Sequence, residues 1–132
     1  MITVVRNLNP SSLAIKASAV FGFLGVYGDA RQTLEPNVKD CIAELSDILM
    51  PRACYSEYDI KSDGELLDLG FTKIKSKDLS EHIEGCRHLI LIAATVGIGA
   101  DRLVSKYSVS EPSRGLIMQA VGSAAVEASL FR

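Results

Sequence analysis

The sequence predicts an α+β domain. Three helical patterns, one uninterrupted apolar run and two stretches of alternating polarity carry that reading. The helices are expected around residues 12–24, 36–50 and 112–131, flanking Leu89–Ala94 as an interior strand of the sheet. Leu89, Ile90, Leu91, Ile92, Ala93 and Ala94 show no polar alternation, the pattern of a strand covered on both faces.

The other elements follow in chain order. Ile2–Val5 is a short apolar piece, and Asn9-Pro10-Ser11-Ser12 reads as a helix start. Leu13, Ala17, Val20, Phe21 and Leu24 then fall at helical spacing, and Gly25 and Gly28 stop the pattern. The clearest helix has Pro36 in its first turn. Val38, Cys41, Ile42, Leu45, Ile48 and Leu49 form its apolar stripe, and Pro51 ends it. Ala53–Ile60 changes to a half-exposed strand pattern, and Ser62-Asp63-Gly64 signals a turn. Leu66, Leu67 and Leu69 make a short apolar patch. Phe71–Lys75 alternates as a strand, and Lys77–Glu84 reads as a short helix. A helix signal at Asp101–Tyr107 follows the glycine turn, and Glu111-Pro112-Ser113 opens the last helix, rich in Ala, Gly and Ser.

Composition excludes several classes. A chain of 132 residues is expected to form one domain, and its 48% hydrophobic and 23% charged residues are ordinary for a globular protein. With a net charge of -2 and no basic run, the chain lacks the patch that nucleic-acid phosphates require. Its apolar runs are too short to span a bilayer, and MITVVRNLNP lacks a signal-peptide pattern, so no membrane partner and a cytoplasmic location are expected. Cys41, Cys54 and Cys86 form no CxxC pair and no disulfide framework. His82 and His88 flank Cys86, but Gly85 separates His82 from the thiol and no second ligand pair is near. The local pattern is that of a buried cysteine beside surface histidines, not a metal site. Nothing in the sequence activates a thiol for catalysis.

Two features point to a ligand. The turn Thr95-Val96-Gly97-Ile98-Gly99 joins an apolar strand to a helix start, with little side chain to block a ligand or a neighbouring backbone. It is not a dinucleotide fingerprint, because Arg102 stands at the third glycine position, and the Lys-Ser/Thr pair of a P-loop is missing. A sharp turn after a buried strand is the simpler reading of those glycines. The second feature is a polar line on the last helix, Gln119, Ser123 and Glu127 at i, i+4 and i+8. It reads either as the solvent face or as a partly buried Glu127 carboxylate that meets a ligand amine or hydroxyl.

Several short segments in order carry a family resemblance. They are Leu24-Gly25-Val26-Tyr27-Gly28; Pro51-Arg52 with Tyr55; Ser76, Asp78-Leu79 and Gly85-Cys86; Ala94-Thr95-Val96-Gly97 with Asp101; and Gly122-Ser123-Ala124-Ala125-Val126-Glu127. On these the chain resembles the activation domain of cobalamin-dependent methionine synthase, over roughly the first two-thirds of that domain. The resemblance implies helices packed on a twisted, mostly antiparallel sheet. It implies S-adenosylmethionine (AdoMet) as cofactor, with Glu127 holding its ammonium group and Thr95, Gly97, Gly99 and Ser123 as further binding residues. No catalytic residue is expected on the chain itself. It also implies reductive methylation of cob(II)alamin, the cobalamin being carried by a partner: a corrinoid-binding protein or methionine synthase modules.

Two departures accompany the match. The family's Arg-x-Ser-Pro-Gly-Tyr-Gly-type ligand segment is not in this sequence, and Gln119 stands where an Asp is usual. The expectation is weak or no AdoMet binding by this chain alone, and a homodimer or obligate complex with the Gly115–Phe131 helix close to the contact. Two functions follow as alternatives: an activation component for a corrinoid methyltransferase, or a non-catalytic interaction module on the same scaffold.

Overall fold

A computed structural model describes residues 2–130. Strand β1 (Ile2–Asn7) leads to a 3-10 turn at Pro10–Ser12, then helices α1 (Ala17–Leu24) and α2 (Ala30–Ser46). Strands β2 (Arg52–Asp59), β3 (Lys61–Asp63), β4 (Leu66–Asp68) and β5 (Lys73–Lys75) follow. Helix α3 (Lys77–His82), strand β6 (His88–Thr95) and helices α4 (Ile98–Ser110) and α5 (Pro112–Leu130) complete the chain. The fold is α+β, with two small antiparallel sheets ordered β1-β2-β6 and β3-β4-β5. In the second sheet Lys61 pairs with Asp68, and Leu67 with Ile74.

The chain divides into two compact units. One comprises Met1–Val5 and Cys54–Ala93, and the other Arg6–Ala53 and Ala94–Arg132. In the first, Leu67 and Leu69 are the buried apolar side chains, and the Tyr58 and Phe71 rings meet with centroids 4.7 Å apart. Ser76 caps α3 by accepting the Leu79 N–H at 3.2 Å, with Asp78 favourably placed in the first turn.

The second unit holds the main core. α5 packs against α1, α2 and α4, so Ile117, Met118, Val121, Ala124 and Ala125 meet Val20, Phe21, Val38, Cys41, Leu45 and Tyr107 in one cluster. The small residues of α5 have a specific use here. A Cβ on Gly115 would stand 2.8 Å from the Ser108 backbone nitrogen, so only glycine lets α5 start this close to the end of α4.

Three local expectations are corrected. Pro36 lies inside α2 rather than in its first turn, because the helix begins at Ala30. The apolar stripe starts only at Val38, so hydrophobic period alone misses the polar opening turns. The Arg31 side chain anchors those turns by donating to the Val26 carbonyl at 3.0 Å and lying over the Phe21 ring. The helix expected from about residue 12 is a 3-10 turn capped by Asn9, and α1 proper starts at Ala17.

The third correction concerns β6. Leu89–Ala94 is a strand, but it is the edge of its sheet, and Ile90, Leu91 and Ile92 are 58%, 49% and 53% exposed. The interior strand is β2, which has the mixed polar pattern. An apolar run shows that a strand wants cover on both faces. It does not show that the same chain supplies that cover.

Candidate functional site

The site residues expected from sequence all belong to the second unit, and the structure places them in three different surroundings. Thr95 ends β6, and its Oγ1 accepts the Gly97 N–H at 3.1 Å. This bond fixes the turn into α4. Gly97 adopts φ +96°, a conformation that only glycine takes without strain. A Cβ there would lie 3.1 Å from Met50 Cβ, and one on Gly99 would lie 2.9 Å from Ile48 Cδ1. The Met50 N–H donates to the Val96 carbonyl at 2.9 Å, which locks the segment after α2 against this turn. The room left by the glycines is therefore used by Ile48 and Met50, and the turn does structural work.

The polar line of α5 is exposed at Gln119, Ser123 and Glu127. Ser123 Oγ donates back to the Gln119 carbonyl at 3.2 Å and lines a shallow recess with Phe23, Leu24 and Leu116. Glu127 faces another groove, of about 410 Å³. Its walls are Ser12, Ala14, Lys16 and Ala19 on one side and Ala124, Glu127 and Ala128 on the other. That volume falls within the roughly 300–1,000 Å³ of small-molecule sites. Four alanines leave the floor without branches, and the two ionic side chains at the groove have opposite sign.

Sequence reading missed a polar cluster on α2, α4 and α5. The Tyr107 phenol donates to Glu44 Oε1 at 2.5 Å, and Arg114 donates to Glu44 Oε2 and, at 2.8 Å, to Asp40 Oδ2. The Tyr107 hydrogen bond, then Arg114, holds the Glu44 carboxyl below its ordinary range, and the Glu44 bond holds the Arg114 proton more firmly than usual. Asp40 and Glu44 at i, i+4 on α2 are the only sequence trace of this cluster, and its partners lie more than sixty residues away. It ties three helices together and leaves no reactive group open.

The cysteines are free thiols. Cys41 is buried, and burial pushes its thiol up. Cys86, expected to be buried, is exposed; it follows the end of α3 at His82 and the turn at Gly85, whose φ is +82°. His88 Nδ1 instead meets Asp59 Oδ1 at 2.9 Å. Among the described residues no group of three His, Cys, Asp or Glu is placed to hold a metal ion. None of the described helices is long and apolar enough to cross a membrane.

Comparisons place this fold beside a known one. No protein-family model matches the sequence, and no curated protein matches it. Among solved structures, the chain is similar to the crystal structure of the MetH reactivation domain bound to AdoHcy, with a TM-score of 0.65 and 12% identity. The match covers 97% of this chain and 52% of that one, so the chain spans about half the length of this neighbour. At that identity the likeness is one of fold.

Proposed function

We propose that this chain is an activation component for a cobalamin-dependent methionine synthase or a related corrinoid methyltransferase. The observation that carries the reading is the agreement of fold with the MetH reactivation domain along nearly the whole chain. The Glu127 groove supplies the local chemistry, since a carboxylate beside a small-residue floor suits a cationic ligand. AdoMet bound there would supply an electrophilic methyl group: with one electron from an external low-potential donor, cob(II)alamin held by a partner corrinoid protein would accept the methyl, and AdoHcy would leave. Glu127 holds the ligand's ammonium group, and the alanine floor admits its narrow chain. Thr95, Gly97 and Gly99 serve this site only by shaping the start of α4, and Ser123 opens on a separate recess.

The test adds the purified chain and AdoMet to cob(II)alamin-loaded methionine synthase modules with a low-potential reductant. The expected result is methylcobalamin, read by its absorbance, at a rate that Glu127→Gln lowers about tenfold. No product above the reaction without the chain overturns the reading.

A second reading is a non-catalytic interaction module. The packing of Ile48 and Met50 against the glycine turn supports it, because those side chains take the room that the glycines leave on that side. So does the exposed apolar edge of β6. Calorimetry with the corrinoid modules present separates the two: this reading expects saturable binding to the modules that adds no AdoMet heat, and the activation reading expects AdoMet heat from the assembled complex.

A further inference from the structure

We infer that strand β6 pairs with the β6 of a second copy of this chain, antiparallel, across a two-fold axis at Leu91. The inference is independent of the activation reading and rests on the edge strand. Ile90, Leu91 and Ile92 are 58%, 49% and 53% exposed at the edge of their sheet. Successive residues of a strand point to opposite faces, so β6 is uncovered on both. Among the described strands, β6 alone carries no Lys, Arg, Asp or Glu. β1 has Arg6, β2 has Arg52, Glu57 and Asp59, and each strand of the second sheet holds a Lys or an Asp.

That charge pattern selects the occupant. The unpaired N–H and C=O groups of an edge accept any strand. The side chains are more selective, because a charge set against Ile90, Leu91 or Ile92 loses water without gaining a partner. An occupant must therefore be uncharged on both of its faces, and a second β6 meets that need along its whole length. Pairing β6 with the β1 of another copy is head-to-tail, brings Arg6 to the apolar run and leaves an open edge at each end. Pairing β6 with β6 closes, since one contact covers the exposed edge of both copies.

The axis also restricts the register. A two-fold normal to the sheet keeps each side chain on its own face, so the axis passes through a residue and opposed residues differ by an even number. With the axis at Leu91, the centre of the exposed trio, Leu91 faces its own copy, Ile90 meets Ile92 and Leu89 meets Ala93. His88 then stands opposite Ala94, and Arg87 opposite Thr95, so no like charges are set against each other.

The experiment uses the full chain. Light scattering at ~100 μM is expected to give a dimer, which Ile92→Lys weakens at least about tenfold. Leu91→Cys combined with Cys86→Ser, which removes the exposed native thiol, tests the register under mild oxidation. Opposed Cα atoms of an antiparallel pair lie about 4.5–5.5 Å apart, within reach of a disulfide. This variant is expected to form a covalent dimer at least about tenfold faster than Lys39→Cys in the same background, a position on α2 whose side chain is 67% exposed. A monomer at that concentration overturns the inference. So does a dimer that Ile92→Lys leaves as tight, or one whose Leu91→Cys form links no faster than Lys39→Cys. A monomer whose β6 amides gain protection from exchange only when corrinoid modules are added gives the edge to that partner and removes the inference. None of these results bears on methylcobalamin formation, which tests the activation reading separately.

Discussion

The Arg114 guanidinium lies 4.8 Å over the ring of Tyr107, and both side chains bond to the same carboxylate, Glu44. One acceptor from α2 thus holds a phenol from α4 and a cation from α5. Glu44→Gln keeps the shape, loses the charge and leaves Arg114 with Asp40 alone. The expected cost is about 1–2 kcal/mol, below that of a fully buried pair because water still reaches the cluster. The sign of the pH effect follows from the lowered carboxyl. Its contribution is complete above the ordinary 4.5 and is lost as pH falls through the folded-state value. Urea midpoints near neutrality and below 4.5 check this. The wild-type advantage over Glu44→Gln should shrink in acid, and a constant difference would exclude Glu44 as the source.

The two glycines of the α4 turn give a contrast. Gly97→Ala forces a side chain into φ +96° and against Met50, at an expected cost of about 1–3 kcal/mol. Gly99→Ala presses chiefly on the far end of the Ile48 side chain, which is 41% exposed, and meets the Ile48 carbonyl only at an ordinary 3.5 Å. A helical alanine also gains roughly 0.5–1 kcal/mol over glycine, so this variant should be close to neutral. Thermal midpoints of the two variants test the assignment. Matched losses would mean that backbone conformation at Gly97 is not the governing difference.

These cases show what the sequence could convey. The α5 pattern located the core helix, because a run of small and apolar residues must be packed, and Gly115, Ala124 and Ala125 are packed. Asn9 announced its cap by residue type alone. The β6 error arose from a property that local pattern does not encode: position within a sheet is set by which strands pair, and pairing depends on the whole chain. The ligand turn was ambiguous for a related reason. Glycines make space, and only the fold shows that Ile48 and Met50 occupy it. Glu127 was legible as part of a polar line, whereas Lys16 comes to its groove from more than a hundred residues away.

The β6 edge sets the expectation for self-association. Residues 89–95 carry no charge and no proline, the usual protections of an edge strand. The sequence alone places the contact near the Gly115–Phe131 helix. Phe131 lies outside the described residues, and Ala124, at 2% exposure, belongs to the subunit core. We therefore expect Ala124→Glu to unfold the chain, and Ile92→Lys to reduce association with a change in stability of no more than about 0.5 kcal/mol. Light scattering at micromolar concentration reads both. A wild-type chain that is already monomeric excludes the edge as a contact between copies.

The thiols give an independent check on the core. Cys41 is 0% exposed among Val38, Leu45 and their neighbours, and its burial raises the energy of the thiolate that alkylation requires. Cys86 is exposed and open to the reagent. Iodoacetamide at neutral pH should modify Cys86 first and Cys41 at least ~100-fold more slowly, because Cys41 reacts only through rare opening of the helical unit. Half-buried Cys54 should fall between them. Peptide mass spectrometry after timed quenching gives the order directly, and the three rates should converge in guanidinium chloride. Rapid native labelling of Cys41 would place α2 away from α5, and with it would go the cluster built on Glu44. Slow labelling that accelerates in Glu44→Gln would show that the same carboxylate that joins Tyr107 and Arg114 also keeps the thiol closed.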